Sequence, residues 1–96
     1  MVTEVAFLII NPKKETQFES DFKTAKKYIG SIEGFQSLTL QKCMDETGKY
    51  MLLVNWDTIE SHKVGFRKSE AYKSWKALLH PYYNPIPQVE YYKILD

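Results

Sequence analysis

Residues 4–11, EVAFLIIN, form an unbroken apolar run rich in β-formers. Asn11-Pro12 ends it, because proline has no N–H to give a strand ladder. From Thr16 the apolar spacing becomes helical: Phe18, Phe22, Ala25 and Ile29 fall on one stripe, with Lys23, Lys26 and Lys27 off it. Thr16 with Glu19 predicts a capping box at the start of this helix, and Gly30 predicts its stop. Residues 35–44 alternate as a strand, Asp45-Glu46-Thr47-Gly48 turns the chain, and residues 49–56 run back as an antiparallel partner. Asp57 with Glu60 predicts the cap of a short helix carrying Ile59, His62 and Phe66 on one side. Ser69 predicts the cap of another carrying Tyr72, Trp75 and Leu79. His80-Pro81 ends that helix, a loop with Asn84, Pro85 and Pro87 follows, and residues 88–95 read as the last strand.

The order β-α-β-β-α-β is the split βαβ arrangement, in which right-handed crossovers set both helical segments on one face of a four-stranded antiparallel sheet. The expected fold is therefore α+β and ferredoxin-like, with residues 1–96 as one domain. Neighbouring strand residues point to opposite faces. Val5, Phe7 and Ile9 oppose Ala6, Leu8 and Ile10, while Met51 and Leu53 oppose the row Tyr50, Leu52, Val54 and Trp56. Both faces are apolar, yet the helices cover one. A second copy related by a two-fold axis supplies the missing cover most simply, since the patch need only complement itself. We therefore expect a homodimer through the open face. Ser37, Thr39 and Gln41, which share one face of the second strand, support the competing reading of a polar-backed monomer.

Composition narrows the partners. Thirteen Lys and Arg against twelve Asp and Glu leave a net charge of +1, so the long-range attraction that draws nucleic acid or anionic lipid to a basic protein is absent. Neither partner is expected. The lone Cys43 cannot form an internal disulfide and has no CxxC spacing around it. The early apolar run is too short for a signal-peptide core or a membrane span, and a cytoplasmic location is expected.

The whole chain resembles the antibiotic biosynthesis monooxygenase (ABM) family of dimeric α/β barrels. The resemblance rests on Glu33-Gly34-Phe35, on YMLLVNW from Tyr50 to Trp56, and on Ser61-His62 with Gly65-Phe66-Arg67-Lys68-Ser69. Tyr72, Trp75, Pro85, Pro87, Val89 and Tyr92 extend it. It implies a dimeric barrel, and for members of known activity the oxidation of phenols, quinols or polyketide-like aromatics by molecular oxygen without flavin, metal or haem. A haem-degrading branch uses an Asn within strand one and a Trp and a His on the second crossover. Residues 5–10 contain no Asn here, so haem is not an expected ligand.

His62 is the titratable residue that helical spacing aligns with Ile59 and Phe66, toward the space between helix and sheet. It is the catalytic candidate: an imidazole there can take a proton from a phenol or quinol and leave an electron-rich anion for oxygen. A structural histidine bonded to backbone is the competing reading. Arg67 is a candidate for holding a phenolate, because its guanidinium stays charged. Trp56, Phe66, Tyr72 and Trp75 are candidate walls for a planar substrate, although aromatics at helical spacing also serve as core. His80, Tyr82, Tyr83 and Asn84 sit in the loop before the last strand, where polar tips reach a pocket mouth or anchor the loop. The leading expectation is a cofactor-independent monooxygenase or quinol oxidase acting on a small aromatic, with no metal. The alternative is a non-catalytic, small-ligand-binding or stress-related dimeric barrel.

Overall fold

The computed structural model describes residues 1–96. The chain runs through β1 (Val2–Ile9), α1 (Glu15–Gly30), β2 (Phe35–Lys42), β3 (Lys49–Trp56), a π-helical turn (Ser61–Phe66), α2 (Glu70–Leu79) and β4 (Val89–Tyr92). The strands form one antiparallel sheet in the order β2-β3-β1-β4, the ferredoxin-like arrangement expected from the element order. The α1 stripe of Phe18, Phe22, Ala25 and Ile29 is buried as its spacing predicts, and so are Trp75 and Leu79 of α2. They share a core with Ala6, Leu8 and Ile10 from the first strand region and with Tyr50, Leu52, Val54 and Trp56 from β3. Two-residue periodicity in the strands and 3.6-residue periodicity in the helices thus converge on one layer.

Register decides which polar groups enter that layer. Glu4 lies opposite Val54 on one side and Tyr91 on the other, in line with Ala6 and Leu8, so its carboxyl is carried into the core. Gly48 ends the β2–β3 turn at φ 81°, where a Cβ would strike the Ile10 carbonyl. Its N–H donates to Glu15 Oε2 at 2.6 Å, which ties the hairpin to the start of α1.

Several local expectations are corrected. Asn11 accepts from the Lys13 N–H and, with Pro12 behind it, starts a 3₁₀ turn. The chain is therefore already helical before Thr16, and α1 begins at Glu15 with no capping box. Glu19 instead accepts from the Tyr50 hydroxyl at 2.6 Å and from Lys42 at 3.3 Å. At the second crossover the cap is Thr58, whose Oγ1 accepts from the Ser61 N–H at 3.1 Å, because Asp57 is taken by the Gln36 amide. The wider π turn, closed by Arg67 N–H to His62 O at 3.1 Å, keeps His62 and Phe66 inward but swings Ile59 out to solvent. β4 stops at Tyr92 and not Leu95, because Tyr92 already pairs with Thr3 and β1 offers one residue beyond it. Ser69 caps α2 as predicted, accepting from the Tyr72 N–H at 3.1 Å.

Candidate functional site

A cavity of about 270 Å³ opens between the helical layer and the β1–β4 half of the sheet. Ala6, Leu8, Leu52 and Val89 form its floor, and the π turn and α2 form its wall. Five of the six site residues foreseen from sequence line it: His62, Phe66, Arg67, Tyr72 and Trp75. Phe66 meets Tyr72 edge-on at 5.1 Å and Trp75 at 5.6 Å between ring centroids, so one aromatic corner is already set for a flat ligand. The sixth, Trp56, does not line the cavity. It is fully buried behind His62 and Phe66, at 5.5 and 5.9 Å. It acts from there by donating its indole N–H to Glu4 Oε1 at 2.8 Å.

His62 is 3% exposed, and each of its nitrogens faces a partner. Nδ1 lies 2.5 Å from the Tyr91 hydroxyl and Nε2 lies 3.5 Å from Glu4 Oε1. We assign the proton to Nε2: a lone pair there would confront a carboxyl oxygen, whereas Nδ1 is free to accept from the Tyr91 O–H. Burial, reinforced by the positive charges of Arg67 and Lys63, lowers the pKa of His62 to about 4. Burial also raises that of Glu4, against the pull of the Trp56 N–H and of Arg67. The histidine is therefore neutral near pH 7, and the contact is a long one between a neutral imidazole and a carboxyl group rather than a strong ion pair.

Two members of this cluster, Glu4 and Tyr91, were not foreseen. The signal for Glu4 was available, since it stands two residues before Ala6 on the face that the α1 stripe must cover. Tyr91 depended on the β4 register, which the sequence pattern alone does not set. The loop before β4 contributes more than anchoring. His80 and Tyr83 line the cavity, where burial is the main cause that lowers the pKa of the first and raises that of the second. Tyr82 packs edge-on against Phe18 and donates to Asp21 at 2.5 Å, while the Asn84 N–H donates to Ile9 O at 3.1 Å. The arrangement is an apolar, aromatic chamber with one polar corner of carboxyl, imidazole and phenol, and a guanidinium at its solvent-exposed rim.

The opposite face of the sheet carries no helix. Phe7 and Ile9 are 48% and 37% exposed there, beside partly covered Val5, Met51 and Leu53. No helix of the chain is long and apolar enough to cross a membrane.

Residues 1–78 match the sequence profile of the Antibiotic biosynthesis monooxygenase family. The uncharacterised protein YczJ of Bacillus subtilis is 47% identical over 93 residues, covering 97% of this chain and 98% of that protein. A family protein from Bordetella bronchiseptica has a crystal structure similar to this chain at a TM-score of 0.93 and 26% identity, covering 98% of this chain and 96% of its own. SnoaB, a cofactor-independent oxygenase from Streptomyces nogalater, is similar at a TM-score of 0.83 over 99% of this chain and 93% of its own. Its 16% identity limits that likeness to the fold.

Proposed function

The chain belongs to the antibiotic biosynthesis monooxygenase family, and from that premise we propose that it oxidises a small phenol or quinol with molecular oxygen, without a cofactor. The observation that carries this reading is the buried His62 cluster at the edge of an otherwise aromatic cavity. Acid–base groups in an apolar chamber favour forming a substrate anion whose electrons can pass to oxygen. For a hydroquinone the overall change is balanced: two electrons and two protons leave the quinol, and oxygen becomes hydrogen peroxide. The cavity lies just under the roughly 300–1,000 Å³ typical of drug-sized ligands, which favours one or two rings over a large polycycle. Phe66, Tyr72 and Trp75 hold the ring, and Arg67 at the rim offsets the charge that develops.

The same reading makes the whole chain one domain, acting as a dimer whose copies bury their open sheet faces against each other to form the α/β barrel. Exposed Phe7 and Ile9 on that face support it. Oxygen uptake with a panel of hydroquinones and anthrones tests the chemistry. We expect saturable uptake by the wild type and a loss of about 100-fold or more in His62→Ala. Equal rates in the two proteins, or none in either, refute it. Binding of the same aromatics without oxygen uptake would favour the non-catalytic ligand-binding reading.

A further inference from the structure

Resting on that reading of the cavity, we infer that Glu4, rather than His62, is the group that receives the hydroxyl of the bound aromatic, with His62 and Tyr91 as positioning residues behind it. His62 offers no lone pair to a substrate hydroxyl, since Nδ1 accepts from Tyr91 and Nε2 carries the proton, 3.5 Å from Glu4 Oε1. Glu4 is different. Its Oε1 takes the Trp56 N–H and faces His62, but no protein donor reaches Oε2. No sealed side-chain oxygen or nitrogen in the molecule lacks a partner, so Oε2 opens onto the cavity that Glu4 lines. The residue is nevertheless 5% exposed.

A buried carboxyl oxygen facing an apolar chamber is costly unless a donor meets it. Around it stand Trp56 from β3, His62 and Arg67 from the second crossover, Tyr83 from the loop and Tyr91 from β4. None of these groups satisfies Oε2, whereas a ligand hydroxyl can. A phenol or quinol seated against Phe66, Tyr72 and Trp75 places its O–H there, and an ether or plain hydrocarbon leaves the oxygen bare. In the reaction the substrate O–H bond breaks, a new O–H bond forms on Oε2, and the electron pair stays on the phenolate oxygen. Burial makes Glu4 a stronger base than an ordinary carboxylate. Tyr91 fixes the tautomer of His62, which turns its Nε2 toward Glu4 Oε1 and orients the carboxyl as a second residue does for a general base.

Anaerobic calorimetry with hydroquinone and its dimethyl ether tests the inference without requiring turnover. The wild type is expected to prefer the quinol by about tenfold or more. Glu4→Leu is expected to abolish that preference. His62→Phe is expected to keep it within a few-fold while lowering kcat. Glu4→Gln preserves shape and can still accept from Trp56, so it binds quinol but loses about 100-fold or more in oxygen uptake. Equal wild-type affinity for quinol and ether, or a preference that survives in Glu4→Leu and vanishes in His62→Phe, overturns the inference, and the wild-type comparison holds even where a variant fails to fold. A preference that depends on Glu4 with no oxygen uptake upholds the hydroxyl contact and sinks the oxygenase reading. Uptake that is unchanged in Glu4→Gln removes Glu4 as the proton acceptor, overturning that part of the inference, and leaves the oxygenase reading standing.

Discussion

The two faces of this sheet are made by the same strands and each carries a row of apolar side chains, but they meet different surroundings. On the helical face Ala6, Leu8, Tyr50, Leu52, Val54 and Trp56 are buried with α1 and α2. A carboxyl and an imidazole are buried with them, beside an open cavity. On the other face Val5, Phe7, Ile9, Met51 and Leu53 have no such cover, and their polar neighbours Ser37, Thr39 and Gln41 are exposed. Buried ionisable groups cost stability unless paired, so the covered face spends some of its packing energy on Glu4 and His62. The open face carries no such cluster. Under the proposed function the first serves chemistry and the second self-association.

Substitutions that treat the faces unequally test the contrast. The largest effect is expected at the centre of the covered face, where Phe18 is fully buried against Phe22, Tyr50 and Tyr82. Phe18→Ala should cost about 3–5 kcal/mol in urea unfolding. Next comes pH. The folded pKa of His62, about 4, lies below its ordinary 6.5, so the unfolded chain binds the extra proton first as pH falls. Its contribution is complete above the ordinary value and is lost on the way down to about 4, up to about 3 kcal/mol. Glu4, with its raised value, acts in the opposite sense and weakens the fold as pH rises above 4.5. Melting curves of wild type and His62→Phe across this range should therefore diverge in slope, the variant losing less on acidification.

Phe7→Asp probes the other face. It should leave subunit folding nearly unchanged but weaken self-association by about 2 kcal/mol or more, roughly thirtyfold, by sedimentation. An unchanged association constant would mean that the open face is not the contact. The smallest effect is expected from Ser69→Ala, which removes the α2 cap and should cost about 1 kcal/mol, with a modest loss of ligand affinity because α2 carries Tyr72 and Trp75.

The same division explains what could be read from sequence. The α1 stripe, the Ser69 cap, the β2–β3 hairpin and the inward direction of His62 each follow from local periodicity or local hydrogen bonding. Glu4 and Tyr91 required cross-strand register, a long-range property of three strands together. Trp56, expected as a wall for the substrate, lies behind the cavity instead, and its role as a buried donor to Glu4 depended on which strand faced it. The π turn escaped because i→i+5 bonding widens a helix without altering its composition. Ile59 therefore points outward while His62 and Phe66, spaced four apart, still point in.

The division between a ligand face and an association face can be read in one series of nitrogen-edited NMR spectra, recorded anaerobically with added hydroquinone. The chain has two tryptophans, one donating to Glu4 and one lining the cavity. Both indole N–H signals should move on titration, while the amides of Phe7, Met51 and Leu53 respond only to protein concentration. Movement of those three amides with ligand, while both indole signals stay fixed, would contradict the assignment of the two faces.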